Sequence, residues 1–526
     1  MRKIISLVLK NWLVLLILLV AAFMRLYKIA DYLTFLGDEG RDVLVVYNIL
    51  HGHLTLLGPT SSVGGFFLGP IYYYIMAPSL WLAGYSPVGP AVMIALFGVV
   101  AVWLVYYVGS HFFNKTAGII AAALFAINPL VILYSRSSWN PNLMPLTTLL
   151  MLFVLYKAVE KKSVGLYAIV GILYGIAMQL HYIEVFLGPM MALYFLIGNI
   201  YRPYEKEQHF VEWKNLCKWT GVIIGGFVIG WSPFLAFEAR HGFNNFRAIF
   251  NFVFHPDTTG QGVGLANFVP TIRDVFFRTF ARLIVNIPDP ALYGRYAFWQ
   301  VQLWIWSSWV LGLGSSFFVI FKMWAKRKEK EKFLQYSLLV LWFGIGILFF
   351  GFYRKNIYDY YFEFLFPVPA LLVGGLISSL ISKNIILKGI SCVFLFALLI
   401  INIQGVPFRY PGNRQLQQTE LIAQEVFKQA GNQPYNFALI TGGNSDHAYR
   451  YFLTMWGNPP VTIQFPGIDP KRTSVTKQLI VVCESVPCMP EGSPLWEIAG
   501  FGRAQIVSKK HVVVVDVYKL VHYTGK

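Results

Sequence analysis

The sequence predicts a polytopic α-helical membrane protein with about eleven transmembrane helices and a small extracytoplasmic α/β domain at its C-terminal end. Three observations point there. Only 13% of the 526 residues are charged and 56% are hydrophobic, against about 25% charged in a soluble domain. Apolar runs of membrane-crossing length follow one another as far as residue 404. Beyond residue 405 they shorten to the length of strands.

The runs fall at about 11–28, 89–109, 117–134, 143–159, 165–181, 184–200, 219–238, 299–321, 335–353, 360–381 and 388–404. Each is near the roughly 17–25 residues that a membrane helix needs. Aromatics make up 17% of the chain, which suits rings placed at membrane interfaces. The basic stretch before Trp12 and the apolar stretch to Tyr27 imitate a signal peptide. No cleavage site follows, so this segment reads as an uncleaved first helix.

Basic residues set the orientation. Arg2, Lys3, Lys10, Lys115, Lys157, Lys161, Lys162, Arg202, Lys206, Lys214, Lys218, the run KMWAKRKEKEK at 322–332, Lys383 and Lys388 lie in alternate loops. Those loops are assigned to the cytoplasm. The N-terminus is then inside and the C-terminus outside. This pattern also accounts for the net charge of +18 without a nucleic-acid partner. Residues 1–404 form the membrane domain, with outer loops at 29–88 and 239–298, and residues 405–526 the outer domain.

Within the outer domain, "FALI", "KQLIVVCE" and "HVVVVDVYKL" read as strands and "SDHAYRYFLTMW" as a helix. "TGGNSDHAYRYF" (441–452) is a strand–glycine–helix sequence, read as a tight turn, with an anion-binding turn as the alternative. Cys483 and Cys488 suit a local disulfide in an oxidising compartment, a pairing the sequence leaves open. No second ligand pair follows for zinc. P-loop, dinucleotide and HExxH motifs are absent.

The chemistry concentrates in "FLGDEGRDVLVVYNIL" (35–50), directly after the first run. Gly37 and Gly40 let the backbone turn, and Asp38 suits the N-cap of an outer helix. Asp38, Arg41 and Asp42 share one helical face. A capped interfacial helix with a surface ion pair is one reading. A carboxylate acting as general base beside the membrane is the other.

This "GDEGRD" (37–42), together with "SRSSWNPN" (135–142) and "YDYYFEFLFPVPALL" (358–372), resembles the GT-C membrane glycosyltransferases. The closest branch is that of the protein O-mannosyltransferases and the lipid A aminoarabinose transferase. The resemblance implies a hexosyl- or pentosyltransferase of the cell membrane. Such an enzyme moves one sugar, with inversion, from a polyprenyl-phosphate donor to a glycan, glycolipid or protein acceptor at the outer face. It implies Asp38 as the base, with Glu39, Arg41 and Asp42 beside the substrate. Cations should then face the departing phosphate. Arg354 and Lys355 are the first candidates, Arg136 the next, with Asn140 and Asn142 as neutral donors. His181, Tyr182 and Tyr361 are further substrate-site candidates.

Some GT-C enzymes carry a second acid in the second outer loop, and residues 135–142 contain none. No cofactor is therefore expected; a divalent metal is the alternative, not the expectation. Asp257 and Glu184 are acids that would substitute. The competing class is a transporter or flippase of a lipid-linked sugar, which needs ionisable residues within its spans.

Overall fold

The computed structural model describes residues 2–61, 65–200, 212–254, 267–353 and 355–525. Among them, every one of the apolar runs is occupied by helix. Six helices are long and apolar enough to cross a membrane: Val88–Phe112, Asn140–Lys161, Tyr182–Asn199, Phe298–Ala325, Lys330–Phe350 and Ile385–Gln404. Two bent pairs raise the number to eight: Trp213–Gly230 with Ser232–Arg240, bent by 72°, and Asp359–Leu365 with Pro367–Ile381, bent by 57°. Shorter apolar helices at Asn11–Leu26, Lys115–Ile127 and Val164–Leu180 fill the other runs. Pro233 and Pro367 explain both bends: each sits in the first turn of the second helix, where a missing N–H costs nothing, rather than in a helix interior.

The break between the fifth and sixth runs is one residue long. His181 is extended, with φ −157° and ψ 140°. It ends Val164–Leu180, and its Nδ1 accepts the Ile183 N–H at 3.3 Å to start the next segment. Helices Val164–Leu180 and Trp213–Gly230 meet through small residues four apart. A Cβ on Gly171 would lie 2.1 Å from the Ile223 carbonyl oxygen, and one on Gly226 2.3 Å from that of Ala168. Such close backbone approach is how membrane helices gain packing energy when lipid is as apolar as their side chains.

The chain forms two compact units. One comprises the chain up to Tyr27, Thr55–Tyr74 and Val92–Tyr410; the other comprises Lys28–Leu54, Ile75–Ala91 and Pro411–Lys526. The second contains a four-stranded sheet of β1 (Asn436–Ile440), β2 (Gln478–Cys483), β3 (Ala504–Val512) and β4 (Val515–His522), in the order β1-β2-β4-β3. β1 and β2 are parallel, and the other pairs are antiparallel. Leu479, Ile480, Val481 and Val482 of β2 are fully buried, each such side chain contributing about 1.5–3 kcal/mol. Cys483 and Cys488 are disulfide-bonded.

Two features of this unit differ from the sequence reading. The run HVVVVDVYKL is not one strand: Val512 pairs with Val515, and a two-residue hairpin divides it. Val513 adopts φ +54° there, a conformation a β-branched residue rarely takes, so hydropathy gives no sign of the turn. A helix at Gln415–Ala430 was not anticipated. It buries Ile422, Ala423, Val426 and Ala430 on one face, a helical period diluted by its many glutamines.

Candidate active site

Helix Gly37–Leu50 belongs to the second unit. Its N-cap is Leu36, not Asp38. Glu39 Oε2 accepts the Leu36 N–H at 3.4 Å, and the helix starts two residues earlier than an Asp38 cap would allow. Asp38 lies in the first turn, where a negative charge favours the helix dipole, and its side chain is 55% exposed. Arg41 Nη1 donates to Asp38 Oδ1 at 2.8 Å. Arg41 Nε and Nη2 donate to Asp42 Oδ1 at 3.0 and 2.8 Å. Asp42 is fully buried. The shared face read from the sequence is thus present, and one guanidinium ties both aspartates. Asp38 alone of these two offers its carboxylate to solvent.

The same helix packs on His447–Met455. A Cβ on Gly40 would lie 2.3 Å from the Ala448 backbone nitrogen, and one on Gly37 2.3 Å from Ser445 Oγ. The glycines flanking Asp38 therefore serve close packing rather than a flexible turn. The "TGGNSDHAYRYF" stretch is the segment they pack against.

The other candidates lie in the first unit. Arg136 is 2% exposed, and its guanidinium donates to the carbonyls of Met24 (2.8 Å), Arg25 (3.0 Å) and Tyr27 (2.7 Å). It closes the C-terminal end of the first helix, whose last carbonyls need donors, and is not presented to a ligand. Asn140 and Asn142 are also buried and donate to the backbone of Leu180 and Ser137. They fix the loop 135–142 from within.

His181, Tyr182 and Tyr361 do come together. The rings of His181 and Tyr182 stack at 4.4 Å, and Tyr361 lies 5.5 Å from His181. Tyr182 and Tyr353 share a hydroxyl hydrogen bond of 3.1 Å, and Tyr353 in turn meets Tyr361 edge-on at 5.7 Å. Tyr353 and Lys355 line one cavity of about 880 Å³ with Asp274 and Arg278. Arg354 and Asp257 lie outside the described residues. Glu184 is fully buried and accepts from Thr148 Oγ1 at 2.8 Å.

Sequence reasoning missed the most concentrated cationic group. Arg278 Nη2 lies 2.5 Å from Asp359 Oδ1, and Arg282 Nε 3.2 Å from Asp359 Oδ2. Arg278 also donates to the Ile357 carbonyl at 2.8 Å, and its guanidinium sits over the Phe362 ring at 4.8 Å. Both arginines line a second cavity of about 480 Å³, walled by Tyr134, Tyr293 and Tyr360. Arg278 lines both cavities. The signal was available, because Arg278 and Arg282 are four apart in "IRDVFFRTFARL", a spacing that puts both on one helical face.

One group of metal-type donors occurs among the described residues: His111, Glu160 and Glu331. Lys157 Nζ sits 2.9 Å from both His111 Nε2 and Glu160 Oε2. An ammonium already occupies that centre, so the donors do not suit a metal ion.

Comparison with known proteins gives the fold. Residues 68–213 match the family model described as dolichyl-phosphate-mannose-protein mannosyltransferase. The structure of ArnT from Cupriavidus metallidurans bound to undecaprenyl phosphate superposes with a TM-score of 0.61 at 11% identity, covering 97% of this chain and 98% of that one. The chain has an ArnT-like fold. The fold is also similar to that of the archaeal oligosaccharyltransferase AglB from Archaeoglobus fulgidus, solved with an inhibitory peptide and a dolichol-phosphate. That TM-score is 0.53 at 13% identity, over 90% of this chain and 70% of that one. Apo ArnT gives 0.58 at 11% identity, over 99% and 98%. No curated protein sequence matches closely enough to mark a relative.

Proposed function

We propose that this membrane protein is an inverting glycosyltransferase that moves a sugar from a polyprenyl-phosphate donor to an acceptor hydroxyl at the outer membrane face, with Asp38 as general base. The observation that carries the reading is the Asp38 carboxylate itself. It is half-exposed in the first turn of its helix and braced by Arg41, in a chain whose fold neighbours are a mannosyltransferase family, ArnT and AglB. Asp38 takes the acceptor proton as that oxygen bonds to the anomeric carbon. The bond from that carbon to the phosphate oxygen breaks, and the lipid phosphate leaves with one more negative charge.

Cations that interact more strongly with the leaving phosphate than with the donor lower the barrier. Arg278, Arg282 and Lys355 are assigned this role, with Arg354 kept from the sequence. Asp274 lines both cavities and Asp359 one of them, so the site answers to placed N–H groups more than to excess charge. Tyr182, His181 and Tyr361 are assigned to the wall beside it. No metal is assigned to the base, because Arg41 already stands as the cation between Asp38 and Asp42. The N-terminus is placed in the cytoplasm and the sheet-containing unit outside.

Transfer from a radiolabelled polyprenyl-phosphate sugar in membranes tests the reading. Asp38→Asn should lose at least about 100-fold, the lower end of what a positioned base contributes. Retention of more than about a tenth of the activity excludes the base. A transporter is the second reading, and the fully buried Glu184 and Glu363 favour it as ionisable groups inside the helical bundle. Donor-lipid translocation in proteoliposomes, abolished by Glu363→Gln and indifferent to Asp38→Asn, would select it.

A further inference from the structure

The helix that carries Asp38 lacks a cap of its own. Leu36 stands at the N-cap and has no side-chain acceptor for the open N–H groups of the first turn. The Gly37 N–H is instead satisfied from 407 residues away in sequence: it donates to Asn444 Oδ1 at 2.9 Å. The same oxygen accepts the Ser445 N–H at 2.8 Å. The amide of Asn444 cannot turn over, because its Nδ2 donates to both oxygens of Glu484, at 3.1 and 3.3 Å. Glu484 is itself fixed by Thr441 Oγ1 at 2.8 Å and by Tyr449 OH at 2.6 Å.

The carboxylate thus accepts from three side chains. Reversing the Asn444 amide would set its oxygen against Glu484 and its NH₂ against two backbone donors. Glu484 follows Cys483 directly, and its own N–H donates to the Ile440 carbonyl at 2.9 Å. The network therefore begins at the C-terminal ends of β1 and β2, next to the fully buried Val481 and Val482. We infer that Asn444, oriented by Glu484, is a positioning residue for Asp38, supplying from the C-terminal part of the chain the acceptor for the first N–H of the Asp38 helix.

The inference rests on the reading of Asp38 as the base. The bond from Asn444 holds the N–H of Gly37, the residue directly before Asp38, so its loss shifts the carboxylate relative to the reacting hydroxyl. A misplacement of 1 Å can cost about 100-fold in rate, far more than the ordinary effect of a lost cap on stability. The side-chain pair also explains the glycine at position 37. Gly37 leaves room for Ser445, since a Cβ there would lie 2.3 Å from Ser445 Oγ. The backbone at 444–445 can therefore come close enough for the bond.

The test compares Asn444→Ala, Asn444→Ser, Asp38→Asn and the double variant Asn444→Ala/Asp38→Asn in the full-length protein, with kcat referred to the folded fraction. Asn444→Ala is expected to lower kcat by about 100-fold with donor KM within about twofold, because donor binding is assigned elsewhere. Asn444→Ser keeps a shorter acceptor and is expected to recover part of the loss. In the Asp38→Asn background, Asn444→Ala is expected to cost nothing further, since a displaced base that is already absent cannot be displaced again. An equal fractional loss in both backgrounds would mean a structural role only and would overturn the inference. So would full activity of Asn444→Ala beside an inactive Asp38→Asn. Full activity of Asp38→Asn would instead remove the functional reading beneath it.

Discussion

Arg41 holds Asp38 and Asp42 with one guanidinium: Nη1 lies 2.8 Å from Asp38 Oδ1 and Nη2 2.8 Å from Asp42 Oδ1. The two carboxylates have opposite surroundings, Asp38 side chain 55% exposed and Asp42 fully buried. Removing Arg41 therefore affects them differently. The exposed pair contributes under about 1 kcal/mol, whereas a buried carboxylate deprived of a charged partner costs about 3 kcal/mol or more. Arg41→Ala should lower the melting temperature of the detergent-solubilised protein markedly. Arg41→Ala/Asp42→Asn should recover most of that loss without restoring transfer. If the double variant melts as low as the single one, Asp42 is not the carboxylate that Arg41 stabilises.

Asp359 ties Arg278 to Arg282, and the two arginines should bear on the donor rather than the acceptor. Arg278→Ala or Arg282→Ala is expected to raise donor KM or depress kcat by about tenfold or more, as loss of a charge-assisted contact of roughly 1.5–3 kcal/mol implies. Acceptor KM should stay within about twofold. Arg278→Lys keeps the charge and loses the fork, so a partial defect there marks two-point contact. Donor titrations on each variant decide it. Unchanged donor kinetics in Arg278→Ala, Arg282→Ala and Lys355→Ala together would remove these cavities as the phosphate site.

Gly40 leaves no room for a side chain, since its Cβ would lie 2.3 Å from the Ala448 backbone nitrogen. Gly40→Ala forces backbone apart where helix Gly37–Leu50 meets His447–Met455, and overpacking of this kind costs about 1–3 kcal/mol. Gly52 has open space around it, although its φ is +94°. Limited proteolysis should show Gly40→Ala cleaved faster than wild type within 28–54. Protection equal to wild type would mean that the helix pair adjusts without cost.

How much of this was legible in sequence varies with the physics behind each feature. The membrane helices were, because apolar length is a one-dimensional property and each expected run is helical. The Arg41 bridge was, because i, i+3 spacing fixes which side chains share a face. Arg136, Asn140 and Asn142 were legible as polar residues in an outer loop, but not as buried ones bonded to Met24, Ser137 and Leu180 backbone, since such partners are distant in sequence. The Asn444 cap was hidden for the same reason. Arg278 and Arg282 were overlooked although readable, their helix being treated only as loop. The hairpin at Val513 left no sign, because a valine there contradicts the usual turn chemistry.

His447 makes the second unit sensitive to acid. Its Nδ1 lies 2.7 Å from Ser445 Oγ, a bond the neutral ring accepts from the hydroxyl. Burial holds its pKa below the usual histidine value, with Arg41 and Arg450 pushing the same way and Asp446 and Asp38 opposing them. The unfolded chain therefore takes up this proton first as the pH falls. The stability tied to neutral His447 is complete above about pH 6.5 and is lost as the pH drops through the lower folded-state value. One proton sets a ceiling of about 1.4 kcal/mol per pH unit on that slope, and partial exposure reduces it. His447→Gln, which cannot titrate, should melt with less dependence on pH between about 6.5 and 4.5 than wild type. Transfer should follow the same direction, because the helix that carries Asp38 packs directly on the segment that holds His447. The measurement is a series of melting curves and initial rates on both proteins across that range. Parallel pH profiles for wild type and His447→Gln would show that the acid sensitivity lies in other groups.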